Sequence, residues 1–359
     1  MKRKLAIAAA VFALAVGTFL LLGRGWLAER AFESALDKTV GVDQSLALGD
    51  GLHAYLCGSG SPLPSVERAG PCIGIVAGNQ AFVFDTGSGS TRKLLRMGFP
   101  VEKMQGVFLT HLHSDHIDGL GELLLQTWIG GSRGTPIPVY GPAGTERVLA
   151  GLREAYTLDQ GYRVTHHGAE FARPGGFGGD PHILTIPEGA PGAITAYEAN
   201  GVKITVTRVN HAPIAPAYGY RIDYKGRSIS LSGDTVYSPE FVAAAKNTDV
   251  MFHEALNPAL VRQLADKLTQ RGRTDTAKIM RDIPGYHASP EDAARAATTA
   301  HAKALVLYHL VPSLPPGIMD RLFLGDAEKA YSGPLKVGRD GLMVSLPANG
   351  EAIEFSQVL

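Results

Sequence analysis

Only two cysteines occur in the 359 residues, too few for a disulfide-dense scaffold or for a zinc site built on four thiolates. Neither sign of charge is in excess, since 34 Lys and Arg balance 34 Asp and Glu. The chain therefore lacks the overall basic footprint of a protein that clamps phosphate backbones over much of its surface. Charged residues make up only 19% and hydrophobic ones 45%, which excludes a disordered, highly charged chain and a coiled coil. Glycine and proline are plentiful, with 43 and 22 residues, but follow no G-X-Y period. They point to many tight turns in a globular protein of one large or two modest domains.

The N-terminus is a separate object. Lys2, Arg3 and Lys4 precede an uncharged, mostly apolar run from Leu5 to Leu22. As a helix that run is ~27 Å long, enough to cross a hydrocarbon core. Arg24, Trp26, Glu29 and Arg30 follow where a cleavage site would need small residues. An uncleaved anchor is expected, with the N-terminus inside and the body facing the periplasm or cell exterior; secretion after cleavage is the alternative. The expected division is 1–22 as stub and anchor, 23–44 as linker and 45–359 as the catalytic domain. Export changes how the cysteines read. Cys57 ends one strand-like run and Cys72 opens the next across the turn-rich GSGSPLPSVERAGP. A Cys57–Cys72 disulfide is expected in an oxidising compartment, the alternative being two buried free thiols.

Short β-rich runs alternate with helical patterns through the body. Strands are expected at 54–57, 73–77, 81–84, 107–110, 139–140, 250–253 and 304–309, and helices at 91–97, 119–129, 145–155, 239–246 and 258–282. Residues 161–191 read as an irregular, Gly- and Pro-rich loop. Hairpins are expected to turn at Asn200-Gly201 and at Lys225-Gly226. Ser289-Pro290-Glu291-Asp292 reads as the capped start of a last helix. The alternation predicts an α/β sandwich with helices outside.

Chemistry concentrates in the histidines. The strand Phe108-Leu109-Thr110 runs into His111-Leu112-His113-Ser114-Asp115-His116. Alternation sends His111 and His113 to one side, and the ensuing turn redirects Asp115 and His116 to a neighbouring point, which suits two adjacent metals. His211, Asp234 and His309 each follow a β-rich run and precede a turn. Imidazole with carboxylate is a ligand mix for zinc, iron or manganese.

The order Phe84-Asp85-Thr86-Gly87, HLHSDH, His211, Ser232-Gly233-Asp234-Thr235, His309 resembles the five motifs of the metallo-β-lactamase superfamily, over roughly residues 50–345. The resemblance implies a four-layer αβ/βα sandwich with the metals at one edge. It implies that His111, His113 and His211 hold one metal, that Asp115, His116 and His309 hold the second, and that Asp234 bridges them. Asp85 would then orient the histidine loop from behind. Asp249-Val250-Met251-Phe252-His253-Glu254-Ala255 and Tyr286-His287-Ala288-Ser289 resemble the motifs of tRNase Z and its arylsulfatase relatives. In those relatives the counterpart of His287 reaches the scissile group, supported by the counterpart of Glu254. The long arm with which tRNase Z grips tRNA has no room here, since 22 residues separate His211 from Asp234.

Two divalent ions lower the pKa of a shared water toward ~7, and His287 paired with Glu254 can protonate the leaving group. The expected function is a dinuclear metal-dependent hydrolase of ester bonds, phosphodiester or aryl sulfate, using a metal-bridging hydroxide. Asp115, His287 and Glu254 are the expected catalytic residues, and two divalent ions, zinc with manganese or iron as alternatives, the expected cofactors. The expected partners are a small-molecule ester and the membrane, with nucleic acid set aside and a homodimer left open. The alternatives are an RNase Z-like endoribonuclease, a lactonase or β-lactamase, and a metal-binding protein without catalysis. His166-His167 is expected to be a solvated pair, with substrate contact as the alternative.

Overall fold

The structure, a computed structural model, describes residues 1–187, 192–315 and 317–359. Contacts divide it into two units, Met1–Leu46 and Ala47–Leu359. In the first, the α-helix Lys2–Thr39 continues through Gly23 and Gly25. Its most apolar stretch of 18 residues has a mean hydropathy of 2.6 and is 0% buried, so length and composition suffice to cross a membrane.

The second unit contains β1 (Gly51–Gly58), β2 (Cys72–Ala77), β3 (Gln80–Phe84), β4 (Met104–Phe108), β5 (Ile137–Gly141) and β6 (Gly179–Ile183). There follow β7 (Ala193–Ala199), β8 (Val202–His211), β9 (Ile214–Tyr224), β10 (Arg227–Leu231) and β11 (Val250–Leu256). The last are β12 (Ala304–Val311), β13 (Leu335–Val337), β14 (Leu342–Pro347) and β15 (Glu354–Gln357). Among the described residues they form two sheets, β15-β14-β1-β2-β3-β4-β5-β6 and β13-β12-β11-β10-β9-β8-β7.

One core lies between the sheets, where Phe82, Phe84 and Phe108 meet Tyr220, Ile229, Phe252 and Val306. Outside the first sheet, Leu94, Leu120, Trp128 and Leu149 of the flanking helices bury a second apolar layer. Outside the second, Phe241, Ala293, Ala296 and Ala297 do the same. The order helix, sheet, sheet, helix explains why β1, β2, β3, β10, β11 and β12 are buried at every position. Strands covered on both faces have no solvent side on which to alternate.

Both expected hairpins are present, and their turn residues show why. Asn200 and Gly201 take φ of 49° and 80°, and Lys225 and Gly226 take 44° and 76°. Two successive positive φ values match the twist of the flanking strands. Two other expectations need correction. The expected irregular loop contains the end of the helix Thr157–His167, which runs through Gly161, and β6; its end, 188–191, lies outside the described residues. An isolated helical glycine costs only ~1 kcal/mol, which neighbouring helix formers offset. The expected long helix is two, Pro258–Gln270 and Thr274–Asp282, because Gly272 at φ 74° turns the chain between them.

Of the two states left open for the cysteines, the structure has the disulfide. Antiparallel pairing of β1 with β2 brings Cys57 and Cys72 to a Cα–Cα distance of 5.1 Å. Closing a loop of this length stabilises the fold by ~3 kcal/mol.

Candidate metal centre

The site forms where strands end. β4 leads into the HLHSDH loop, β8 ends on His211, and β10 leads through Ser232-Gly233 to Asp234. Gly233 has φ 60°, and a Cβ there would stand 2.5 Å from the Tyr218 carbonyl, so this turn requires glycine. His309 sits within β12, where the register with β11 slips by one residue between Tyr308 and Leu310, and takes φ 46°. That bulge re-aims an otherwise regular strand residue at the site.

Asp85 organises the loop from behind. Its carboxylate accepts hydrogen bonds from the Thr110 N–H, the Thr110 hydroxyl and His116 Nδ1, each at 2.8 Å. His111 Nδ1 donates to the Thr110 hydroxyl at 3.0 Å, and His211 Nδ1 donates to the Tyr286 carbonyl at 3.0 Å. With each Nδ1 proton so engaged, the Nε2 lone pairs of His111, His116 and His211 are left for the centre. Thr110 escaped the reading of the sequence, although it directly precedes the histidine motif. The loop also needs glycine behind it: a Cβ on Gly87 would lie 2.4 Å from the Asp115 carbonyl and 2.3 Å from Gly70.

Asp234 is the hub. Its Oδ2 lies 3.3 Å from His116 Nε2 and His309 Nε2, 3.9 Å from His111 Nε2, and 4.0 Å from His211 Nε2 and His287 Nδ1. Asp115 Oδ2 lies 3.2 Å from His309 Nε2 and 3.5 Å from His116 Nε2. His113 Nδ1 is 2.9 Å from His111 Nε2 and 3.4 Å from His211 Nε2. Donor atoms gather within 4.8 Å of one another in three groups: His111, His113, His211 and Asp234; Asp115, His116 and His309; and Asp234, His287 and His309.

These residues fit a pair of divalent cations. His116 Nε2 and Asp234 Oδ1 are buried without a hydrogen-bond partner, a costly state for a closed cluster unless a cation satisfies it. Burial, followed by the neighbouring His116, pushes the His111 pKa well down, and burial lowers His113 and His211, so these three favour the neutral, ligating form. Burial alone would raise Asp234, but His309 and His116 hold it well below the usual carboxylate range. Burial likewise opposes charge on His116, yet Asp234 and Asp85 raise its pKa well above the ordinary value. The proton it attracts marks where positive charge is wanted.

Glu254 and His287 stand at the edge of this cluster. Glu254 is fully buried on β11, and its Oε1 accepts from His287 Nδ1 at 2.9 Å, the Thr235 N–H at 2.9 Å and the Ala288 N–H at 3.3 Å. Burial works against a charged His287, but the charge and hydrogen bond of Glu254, with Asp234 behind, lift its pKa to about 9. All nine residues singled out for metal binding and catalysis therefore meet in one place. His166 and His167 do not; they end the exposed helix Thr157–His167.

Residues 80–310 match a β-lactamase superfamily domain. A protein named Ribonuclease Z from Mycobacterium bovis (strain BCG / Pasteur 1173P2) is 35% identical over 291 residues, covering 80% of this chain and 96% of the relative. Another of that name, from Mycolicibacterium gilvum (strain PYR-GCK), is 34% identical over 271 residues, covering 75% and 87%. Among solved structures, the short form of human tRNase Z superposes with a TM-score of 0.57 at 20% identity, covering 82% of this chain and 99% of that one. The metallo-β-lactamase fold protein YhfI from Bacillus subtilis gives 0.57 at 21% identity, covering 83% and 100%.

The relatives overturn the expected small-molecule ester partner and the exclusion of nucleic acid. That exclusion leans on a missing arm, a neutral charge and the export signal. Yet a protein named Ribonuclease Z is matched over 96% of its own length by this chain. Net charge averages the whole surface and does not constrain one local contact face. On the match to the domain and the identity to the named relatives, the chain belongs to the metallo-β-lactamase superfamily, in its tRNase Z branch.

Proposed function

We propose that the protein is a metal-dependent ribonuclease of the RNase Z type, hydrolysing phosphodiester links in RNA. The observation that carries the reading is the Asp234-centred cluster with the His287–Glu254 pair beside it, in a chain 35% identical to a protein named Ribonuclease Z. His111, His113 and His211 would hold one ion, Asp115, His116 and His309 the other, and Asp234 would face both. Zinc suits this donor set, as do manganese and iron. Such a pair, when bound, supplies a nucleophile at neutral pH and stabilises charge on the phosphoryl oxygens. Asp85 and Thr110 hold the imidazoles in their ligating tautomers. Glu254 fixes the Nδ1 proton of His287, which leaves the Nε2 proton for the departing oxygen.

Zinc- or manganese-loaded full chain in detergent is expected to cleave an RNA oligonucleotide and bis(p-nitrophenyl) phosphate, and to lose both activities to a chelator. A preference for p-nitrophenyl sulfate over the diester would overturn the reading.

The helix Lys2–Thr39 is assigned the part of a membrane anchor that places the hydrolase outside the cytoplasm. Support comes from Lys2, Arg3 and Lys4 before the apolar run, and from a disulfide that suits an oxidising compartment. The substrate would then be RNA in that compartment. Alkylating acid-quenched cells under denaturing conditions without reductant should leave Cys57 and Cys72 unlabelled in a membrane-bound protein. Two labelled cysteines in a cytosolic protein would refute the placement.

A further inference from the structure

A helical hairpin adjoins the metal centre. Its helices, Pro258–Gln270 and Thr274–Asp282, lie in the chain between β11, which carries Glu254, and the loop that carries His287. The base of the hairpin is fixed to the site. The Leu256 N–H donates to the Ala288 carbonyl and the Asn257 N–H to the carbonyl of Val311, just beyond His309, each at 2.8 Å. Asn257 also caps the first helix, accepting from the Ala259 and Leu260 N–H groups at 3.0 Å. Val261 and Ala265 of that helix and Met280 of the second form one buried cluster with Leu256 and Val311. From this base the first helix, 13 residues long, carries the chain ~20 Å to the turn Arg271-Gly272-Arg273.

The hairpin is cationic in a chain of no net charge. Residues 258–282 hold six basic side chains against three acidic ones, and all of them are exposed. Lys278 pairs with Asp282, and Arg281 lies 3.9 Å from Asp266. Among the described residues, Arg262, Lys267, Arg271 and Arg273 enter no ion pair, against the single unpaired carboxylate of Asp275. From Arg262 to Arg271 the chain rises ~14 Å, the length of about four stacked nucleotides at ~3.4 Å each. A single phosphate could meet only one of these cations, whereas a strand of phosphates meets them in series. Since the hairpin begins and ends beside the Glu254–His287 pair, the polyanion brought to it is the backbone of the substrate itself.

We propose that this hairpin is a contact face for the phosphate backbone of the RNA flanking the cleaved bond, with Arg271 and Arg273 at its far end. The proposal rests on the ribonuclease reading. Its test compares kcat/KM of the full-length wild type and the double variant Arg271→Gln/Arg273→Gln on an RNA oligonucleotide and two small substrates, a ribodinucleotide too short to reach the turn and bis(p-nitrophenyl) phosphate. At 50 mM salt the double variant should lower the ratio of the oligonucleotide to either small substrate by about sevenfold or more. At 200 mM that gap should narrow by about sevenfold, because each of two phosphate contacts on a single strand carries a slope of ~0.7 in log K against log salt. Tm should hold, since neither guanidinium has a partner to lose. In full chain held in phosphatidylcholine nanodiscs, tryptic cutting after Arg271 and Arg273 should be slowed by the oligonucleotide. Slowing by phosphatidylglycerol in the disc and not by RNA would assign the face to lipid headgroups and overturn the proposal. Equal losses on all three substrates, or an unchanged ratio and salt dependence, would overturn it too and leave the ribonuclease standing. A wild type that hydrolyses the aryl diester but no RNA would bring down both.

Discussion

Asp234→Ala is expected to empty both metal positions together and to slow hydrolysis by ~10³-fold or more, because several kcal/mol of charge stabilisation would leave with the pair. The expectation follows from geometry. One carboxylate oxygen lies within 4.0 Å of five imidazole nitrogens, drawn from His111, His116, His211, His287 and His309. Removing it takes away the one carboxylate that all five rings share, since Asp115 reaches His116 and His309 and Glu254 reaches His287. Asp115→Ala makes the contrast, since Asp115 Oδ2 lies beside His116 and His309, at 3.5 and 3.2 Å. That variant should lose one ion and keep the other. Elemental analysis of the two proteins beside the wild type decides the matter. Two metals per chain in Asp234→Ala would refute its central position.

His287→Ala should keep both metals and lose ~10²–10⁴-fold in rate, the usual reach of a general acid. The loss should shrink as the leaving group improves, because a good phenoxide hardly needs a proton. The sign of the pH effect follows from the pKa. His287 is lifted from 6.5 to about 9, burial being outweighed by Glu254 and Asp234, so its acid form persists through neutral pH. Acid catalysis is present below that value and fails as pH rises through it. Bound cations would neutralise Asp234 and draw this limb downward. The same shift contributes stability that is whole below 6.5 and is lost as pH rises through about 9. The alkaline limb of kcat should vanish in His287→Ala. An unchanged limb, or equal losses across a leaving-group series with metals intact, would return His287 to a structural role beside Glu254.

Parts of the fold stood out in the sequence because their cause is local. Asn200-Gly201 and Lys225-Gly226 take positive φ whatever packs around them, and Ser289 with Asp292 forms its capping box within one turn. The failures were also local readings, made where packing decides. Gly161 looked like loop chemistry but lies within a helix, and Gly272 was passed over inside a helical pattern that it divides. The partner expectation failed for a different reason: it took whole-chain charge as a guide to a contact made by a few residues.

The sequence by itself determined which side chains could do the chemistry. HLHSDH, His211, Asp234, Glu254, His287 and His309 are donor types at the ends of recognisable strands, and donor chemistry does not depend on the fold. Their convergence was decided only by tertiary structure. β4, β8, β10, β11 and β12 belong to two different sheets and are stacked so that their ends meet at one edge. No spacing along the chain shows that Thr110 sits between Asp85 and His111 or that a register slip aims His309. Those relations arise from long-range strand pairing and loop packing, and they exist only once the two sheets have closed on their shared core.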